Sequence, residues 1–388
     1  MKYDFDSVID RRNTGSLKWD VSENELPMWV ADMDFHAAPC IREAIAKRLE
    51  HGVFGYSIIP DAWAKSYQKW WKERHGLDFD TDSLIFCTGV VPAISTCVRK
   101  LTYPAEKVLV QTPVYNMFFN SVVNNGRYLI ESPLVYENGE YSINFADLED
   151  KLSDPQTSLM ILCNPHNPVG KIWSREELAR IGELCKKHGV TVISDEIHCD
   201  ITTPNKGYVP FALVSDVCRE ISVTCIAPTK CFNIAGMQTA AVMIPNPHLR
   251  HKIWRALNTD EVAEPNVFAV DVAIAAFEHG GEWLDEFREY AFENKRIVSE
   301  YLAEHVPEIK AVPSEATYLS WIDCSALGCG SEEIAHFIRE KTGLYITAGA
   351  AYGKSGDNFL RFNTACPRVT LMDGLSRLEQ AVKMYLNK

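Results

Sequence analysis

Ile221-Ser222-Val223-Thr224-Cys225-Ile226-Ala227-Pro228-Thr229-Lys230-Cys231-Phe232-Asn233-Ile234-Ala235-Gly236 passes from a β-rich apolar run into small residues that enclose one lysine. The run 221–225 reads as a strand buried on both faces. So do Lys107-Val108-Leu109-Val110-Gln111, Leu159-Met160-Ile161-Leu162-Cys163 and Val190-Thr191-Val192-Ile193-Ser194. Continuous rather than alternating apolar strands belong to a parallel sheet covered by helices. One covering helix is well marked between two of them. Ser174 and Glu177 make a capping box, and Leu178, Ile181, Leu184 and Cys185 form its buried stripe. Lys186, Lys187 and His188 suit the negative end of its dipole, and Gly189 suits the left-handed turn that ends it. The fold class predicted is therefore α/β, with a mostly parallel central sheet.

Outward from this middle the texture changes. From about residue 285 a long helical stretch carries Phe287, Tyr290 and Tyr301, then Tyr318-Leu319-Ser320-Trp321-Ile322 reads as a strand, and a second helix runs through Ile334, Phe337 and Ile338. The chain divides on this reading into an N-terminal segment, 1–45, packing with a smaller α+β domain, 285–388, and a large domain, 46–284. A length of 388 residues suits one large and one smaller core.

Composition removes several functions. A net charge of -13, with acidic residues scattered along the chain, argues against nucleic acid and anionic membrane as partners. No apolar run approaches the roughly 18–20 residues of a membrane span. Met1-Lys2-Tyr3-Asp4-Phe5-Asp6 lacks the apolar core of a signal peptide. Twelve cysteines without a Cys-x-x-Cys pair, several of them in apolar runs (Cys87, Cys163, Cys225), are expected to be reduced thiols in a cytoplasmic protein, with no structural zinc and no metal site.

Ligands of open α/β sheets bind beyond the carboxyl ends of the strands, and four polar groups fall there. After Leu84-Ile85-Phe86-Cys87 comes Thr88-Gly89-Val90-Val91-Pro92, a turn opening a helix whose free N–H groups suit a phosphate. Most such turns are only turns. After Cys163 comes Asn164-Pro165-His166-Asn167-Pro168-Val169-Gly170, where a structural turn explains the prolines but not two amides at a strand end. After Ser194 comes Asp195-Glu196-Ile197-His198. A carboxylate at a buried strand end needs a partner, either helix N–H groups or a cation such as a pyridinium, and a lone histidine is more often a satisfied core residue. The fourth is Lys230, whose burial would favour the neutral amine that imine chemistry needs. Their common order, each after a strand, is the argument for function.

That order resembles the fold-type I enzymes dependent on pyridoxal 5′-phosphate (PLP), and more closely the cystathionine β-lyases of the MalY/PatB type. The resemblance is carried by 26–35 (Leu-Pro-Met-Trp-Val-Ala-Asp-Met-Asp-Phe), Val53-Phe54-Gly55-Tyr56, Thr88–Pro92, Asn164–Gly170, Ser194–His198, Thr229–Gly236 and Leu360-Arg361-Phe362-Asn363. It implies that Lys230 carries the cofactor and later removes the Cα proton, while Asp195 sits on the pyridine nitrogen. Asn167 and His198 would flank the phenolic oxygen, and Tyr115 would stack on the ring. Val90, Val91 and Thr229 would hold the phosphate, joined by Tyr56 from the second subunit of a homodimer with shared active sites. Arg361 would grip the substrate carboxylate, with Asn167 and Ala31 beside it. Two departures from general aminotransferases stand out. Gln238 occupies the position of an arginine eight residues after the lysine, which fits the lyase branch, and Ala227 replaces a serine three residues before it.

The resemblance implies α,β-elimination on L-cystathionine or related cysteine S-conjugates, an amino-acid substrate class. An aminotransferase acting on aromatic or other neutral amino acids shares every step through Cα deprotonation and stays open, as does a PLP-fold regulatory protein acting through a partner. A nucleotide-binding α/β protein would want a Gly-x-Gly-x-x-Gly or Gly-x-x-x-x-Gly-Lys-Ser/Thr loop, and neither motif occurs.

Overall fold

Seven strands make the central sheet of the protein, whose computed structural model describes residues 2–388. They are β1 (Leu84–Cys87), β2 (Lys107–Val110), β3 (Tyr128–Glu131), β4 (Thr157–Cys163), β5 (Thr191–Asp195), β6 (Ser222–Ile226) and β7 (Ala240–Met243). Their spatial order is β1-β7-β6-β5-β4-β2-β3. Every ladder is parallel except those of β7, which runs antiparallel to β1 and β6.

The period of two along β4 explains why its sequence is apolar throughout. Leu159, Ile161 and Cys163 face one core, which they share with Val90, Ala93, Ile94 and Cys97 of a helix over Val90–Leu101. Met160 and Leu162 face the opposite core, with Leu178, Ile181 and Cys185 of a helix over Arg175–Lys187. Each face of the sheet has its own helical layer, so neither face of the strand can be polar.

The helix Arg175–Lys187 starts as its sequence demands: Ser174 Oγ accepts from Glu177 N (3.1 Å) and Glu177 Oε2 accepts from Ser174 N (2.8 Å), the reciprocal capping box. Gly189 takes φ 71° just beyond its end. Ser174→Ala removes one half of the box and should lower stability by about 1 kcal/mol, read as a lower denaturation midpoint with an unchanged denaturant slope.

The C-terminal part holds a four-stranded antiparallel sheet: β8 (Lys310–Ala311), β9 (Leu319–Asp323), β10 (Thr347–Ala348) and β11 (Phe359–Asn363), in the order β8-β9-β11-β10. Helices Gly281–His305, Ser331–Thr342 and Arg368–Leu386 pack on it through Val298, Leu302, Ile334, Ile338, Leu375 and Leu378. The N-terminal segment joins this core: Leu26–Pro27 pairs in parallel with Leu344–Tyr345, and Leu26 and Met28 are buried in the same cluster. No helix among the described residues is long and apolar enough to cross a membrane. All twelve cysteines are free thiols.

Candidate active site

In the central ladders Cys163 lies opposite Asp195, and Asp195 opposite Cys225. The three strands therefore end level, and the turns that follow them open into one cavity of about 500 Å³. Thr88, Gly89, Val90, Val91, Tyr115, Asn167, Asp195, His198, Thr229, Lys230, Gln238, Arg361 and Ala31 all line it.

Asp195 is the last residue of its strand, so the ladder fixes its backbone. Its side chain accepts only the Ile197 N–H (3.1 Å). Burial pushes its pKa up to about 7, against the pull of that N–H and of Lys230. The adjacent Glu196 is the instructive contrast. It is fully buried and accepts from Ser194 Oγ (2.8 Å), Tyr208 Oη (2.9 Å) and Phe211 N (2.9 Å). Glu196 is thus a satisfied structural carboxylate, and Asp195 is the one left to meet a cation in the cavity.

Lys230 follows β6 by four residues and keeps some exposed surface, while its amine donates to Ala31 O at 2.6 Å. Burial, reinforced by the Arg361 charge, lowers its pKa to about 8. His198 is buried, and its Nδ1 has no partner. Burial, together with the charges of Lys230 and Arg361, drops its pKa to about 3, so the ring is neutral. Asn167 is buried with an unpartnered Oδ1, and both Asn–Pro bonds of its turn are cis. Tyr115 presents its ring to the cavity, and burial raises its hydroxyl to about 12.

On β11, Leu360 and Phe362 point into the C-terminal core, which turns Arg361 to the other face. The guanidinium lies 4.8 Å from the Tyr352 ring centroid and donates from Nη2 to Trp29 O at 2.8 Å. Its Nε and Nη1 are buried with no acceptor. Val90 and Val91 open the helix Val90–Leu101, where first-turn N–H groups have no intrahelical partner.

Tyr56 is the one expected residue outside the cavity. It is fully exposed, at 101%, in a stretch where Val53, Phe54, Ile58 and Ile59 are exposed too.

Sequence reasoning missed how one wall of the cavity is held in place. Residues 29–35 form a strap that lines the cavity at Trp29, Val30 and Ala31 and is pinned by two asparagines distant in the chain. Asn363 Nδ2 donates to Val30 O (2.5 Å) and Asp32 O (2.7 Å), and Asn233 Nδ2 donates to Met33 O and Phe35 O (both 3.0 Å). Tyr318 Oη adds a bond to Ala31 O (3.0 Å). The strap's far end is anchored by charge: buried Asp34 accepts from Arg11 (2.7 Å), Lys18 (2.8 Å) and Trp19 (2.8 Å). Burial alone would raise the Asp34 pKa, but these three donors outweigh it and hold it below the ordinary value. The available signal was an asparagine closing the apolar β11 and another beside the lysine.

Residues 23–378 match the family described as aminotransferase class I and II. The cystathionine beta-lyase PatB of Bacillus subtilis is 43% identical over 97% of this chain and 99% of its own. Protein MalY of Escherichia coli is 32% identical over 98% and 99%. Among solved structures, cystalysin of Treponema denticola, which contains a pyridoxal 5′-phosphate cofactor, superposes with a TM-score of 0.96 at 34% identity, covering 99% of this chain and 100% of that one. The chain belongs to the aminotransferase class I and II family, among the relatives of PatB and MalY.

Proposed function

We propose that this protein is a PLP-dependent carbon–sulfur lyase that converts L-cystathionine or a related cysteine S-conjugate to pyruvate, ammonia and a thiol. The observation that carries this reading is a buried Arg361 with two unpartnered N–H groups, sharing one cavity with the amine of Lys230 and the cavity-facing carboxylate of Asp195. Together they match an α-amino acid bound beside a cationic ring.

The polar atoms left without partners fit the cofactor's groups. Asn167 Oδ1 and His198 Nδ1 are buried and unmatched; with the amide turned and the imidazole proton on Nδ1, an Asn167 N–H and the His198 N–H would donate to the phenolic oxygen. Asp195 would pair with the pyridine nitrogen. The N–H groups of Val90 and Val91, with Thr229, would hold the phosphate. Tyr115 would cover the ring. When bound, PLP supplies the electron sink that stabilises negative charge at Cα.

The chain's own groups do the rest. Arg361 holds the substrate carboxylate in a two-pronged contact, and the pinned strap at Ala31 limits where that carboxylate can sit. Lys230, with a proton affinity lowered towards neutrality, takes the Cα proton at Nζ. Trp29 and Val30 of the strap, with Met117, give the cavity an apolar wall, which would limit water beside that proton's path. The proton held at Lys230 Nζ passes to the β-sulfur, which leaves as a thiol, and the three-carbon enamine that remains takes up water to give pyruvate and ammonia.

A homodimer is part of the reading, with Tyr56 of one subunit reaching the phosphate of the other. The exposed apolar residues flanking Tyr56 support burial of this stretch against a second copy. The segment 1–45, the large domain 46–284 and the small domain 285–388 are the proposed units, and a cytoplasmic setting is proposed with them.

Purified protein supplied with PLP and L-cystathionine should release pyruvate, measured by coupled reduction with lactate dehydrogenase. Amino-group exchange that requires a keto acid, without pyruvate, would reassign the protein as an aminotransferase.

A further inference from the structure

Lys295 lies midway along the helix Gly281–His305, is buried, and takes no part in the proposed chemistry. Its amine meets no carboxylate among the described residues, and burial alone lowers its pKa to about 7. Nζ donates instead to two consecutive carbonyls, Ala316 O and Thr317 O, at 3.1 Å each. The charged and the neutral amine both carry at least two N–H donors, so the two bonds hold on either side of neutrality.

The carbonyls belong to a segment that its surroundings must hold in shape. Thr317 has φ 65°, and it is the one β-branched residue among the described non-glycine residues at positive φ. A branched Cβ makes that left-handed conformation unfavourable, so it persists only where neighbouring contacts over-determine it. Thr317 N donates to Ile201 O (2.8 Å) and Ala316 N to Gly170 O (3.0 Å), which fixes the amide side. Lys295 fixes the carbonyl side. The conformation at Thr317 sets where the next residue points. Tyr318 is fully buried, and its hydroxyl donates to Ala31 O at 3.0 Å. The same Ala31 O accepts from the Lys230 amine at 2.6 Å.

We propose that Lys295 is a positioning residue of the active site: by holding Ala316 and Thr317 it aims the Tyr318 hydroxyl at Ala31 O, and so fixes the acceptor that orients the Lys230 amine. An acceptor that takes one N–H of the free amine restricts where its lone pair points, and that direction governs transfer of the Cα proton. Lys295 is not among the residues that line the cavity, so it acts only through this chain of contacts. Its consequence for proton transfer rests on the lyase reading, in which Lys230 is the base; the contacts leading to Ala31 O do not.

Amide hydrogen exchange of the holoenzyme, followed by mass spectrometry, tests the chain of contacts without turnover. Lys295→Met keeps the apolar stem and removes the donors. Peptides spanning 26–35 should exchange faster in this variant and in Tyr318→Phe, while the helix Pro247–Thr259, which makes none of these contacts, should be unchanged. In the pyruvate assay Lys295→Met should lose ~10-fold or more in kcat, within the ~10²-fold that a misplacement of about 1 Å can cost. Adding Thr317→Gly should recover most of that loss, because glycine takes φ 65° without a clamp. A lysine that only stabilised the fold would gain no such rescue. If Lys295→Met fails to fold, Lys295→Gln, with its N–H donors on a shorter stem, should show the same faster exchange at 26–35 in smaller degree. Unchanged exchange at 26–35 in the folded lysine variant, an increase spread equally to Pro247–Thr259, or a kcat loss untouched by Thr317→Gly would overturn the role. A wild type that releases no pyruvate overturns the lyase reading alone, and the exchange comparison still decides whether Lys295 holds Ala31.

Discussion

Lys230→Ala is expected to abolish turnover, by about 10⁴-fold or more, while leaving the protein folded. General-base catalysis alone contributes ~10²–10⁴ in rate, and covalent attachment of the cofactor adds to it. The fold should tolerate the change because the lysine is a burden to it. Burial and the Arg361 charge lower its pKa from 10.5 to about 8, which means that the folded state disfavours the charged amine. The sign follows directly. Between about pH 8 and 10.5 the unfolded chain binds more protons at this position than the folded one, so the wild type gains stability as pH rises through that window. Below it the charged lysine imposes its full cost. Cofactor-free Lys230→Ala should therefore unfold no earlier than cofactor-free wild type at neutral pH, and lose its advantage by about pH 10.5. Borohydride treatment followed by peptide mass analysis supplies a readout beyond activity. The peptide containing Lys230 gains the mass of the reduced cofactor adduct (cofactor less water plus two hydrogens) in the wild type, and no peptide does in the variant. Small added amines should restore a fraction of the rate, since they replace the base but not its positioning. Normal turnover in the variant would remove Lys230 from the chemistry.

Parts of this site were legible in the sequence because a parallel sheet imposes order. Strands buried on both faces announce themselves as apolar runs, and level ladder ends bring the residues just beyond them together. Asn167, Asp195, His198 and Lys230 each stand within a few residues of such an end, and all line one cavity. Asp195 itself belongs to the strand, one position further than the run 190–194 suggested. Telling it from Glu196 was beyond the sequence. Both are buried carboxylates, and only the three donors gathered on Glu196 mark it as structural. The strap 29–35 was quoted for its resemblance, but its mechanics depend on Asn233 and Asn363, some 200 and 330 residues away. The buried contact of His75 Nε2 with Asp200 Oδ1, 2.9 Å, is hidden for the same reason. Its members meet only because the end of the helix Asp61–His75 reaches the turn after β5, and no local spacing encodes that approach.

Arg361→Ala should lower kcat/KM by about 10²–10³-fold, with the loss concentrated in KM. Truncating one partner of a buried charged pair costs about 2–5 kcal/mol, much of it from leaving the other charge without a partner. Here the pairing is directional. Nη2 is spent on Trp29 O, while Nε and Nη1 have no acceptor within the protein. A planar carboxylate satisfies both of these N–H groups at once. Arg361→Lys should therefore recover little, because an ammonium offers a point charge without the fork and gives up the contact with the Tyr352 ring. Cofactor absorbance should hold in both variants, because the residues proposed to hold the cofactor are untouched. A second effect separates this role from a merely structural one. The Arg361 charge lowers the proton affinity of both Lys230 and His198. Its removal should shift the ascending limb of the pH–kcat profile to higher pH, since kcat reports the substrate-bound state, in which the Lys230 amine is free to take the proton and a higher pH is then needed to deprotonate it. An unchanged KM with an unshifted limb would take Arg361 out of carboxylate binding. A raised KM with the shifted limb would tie substrate binding and the tuning of the base to one guanidinium, held in place by the alternation of β11.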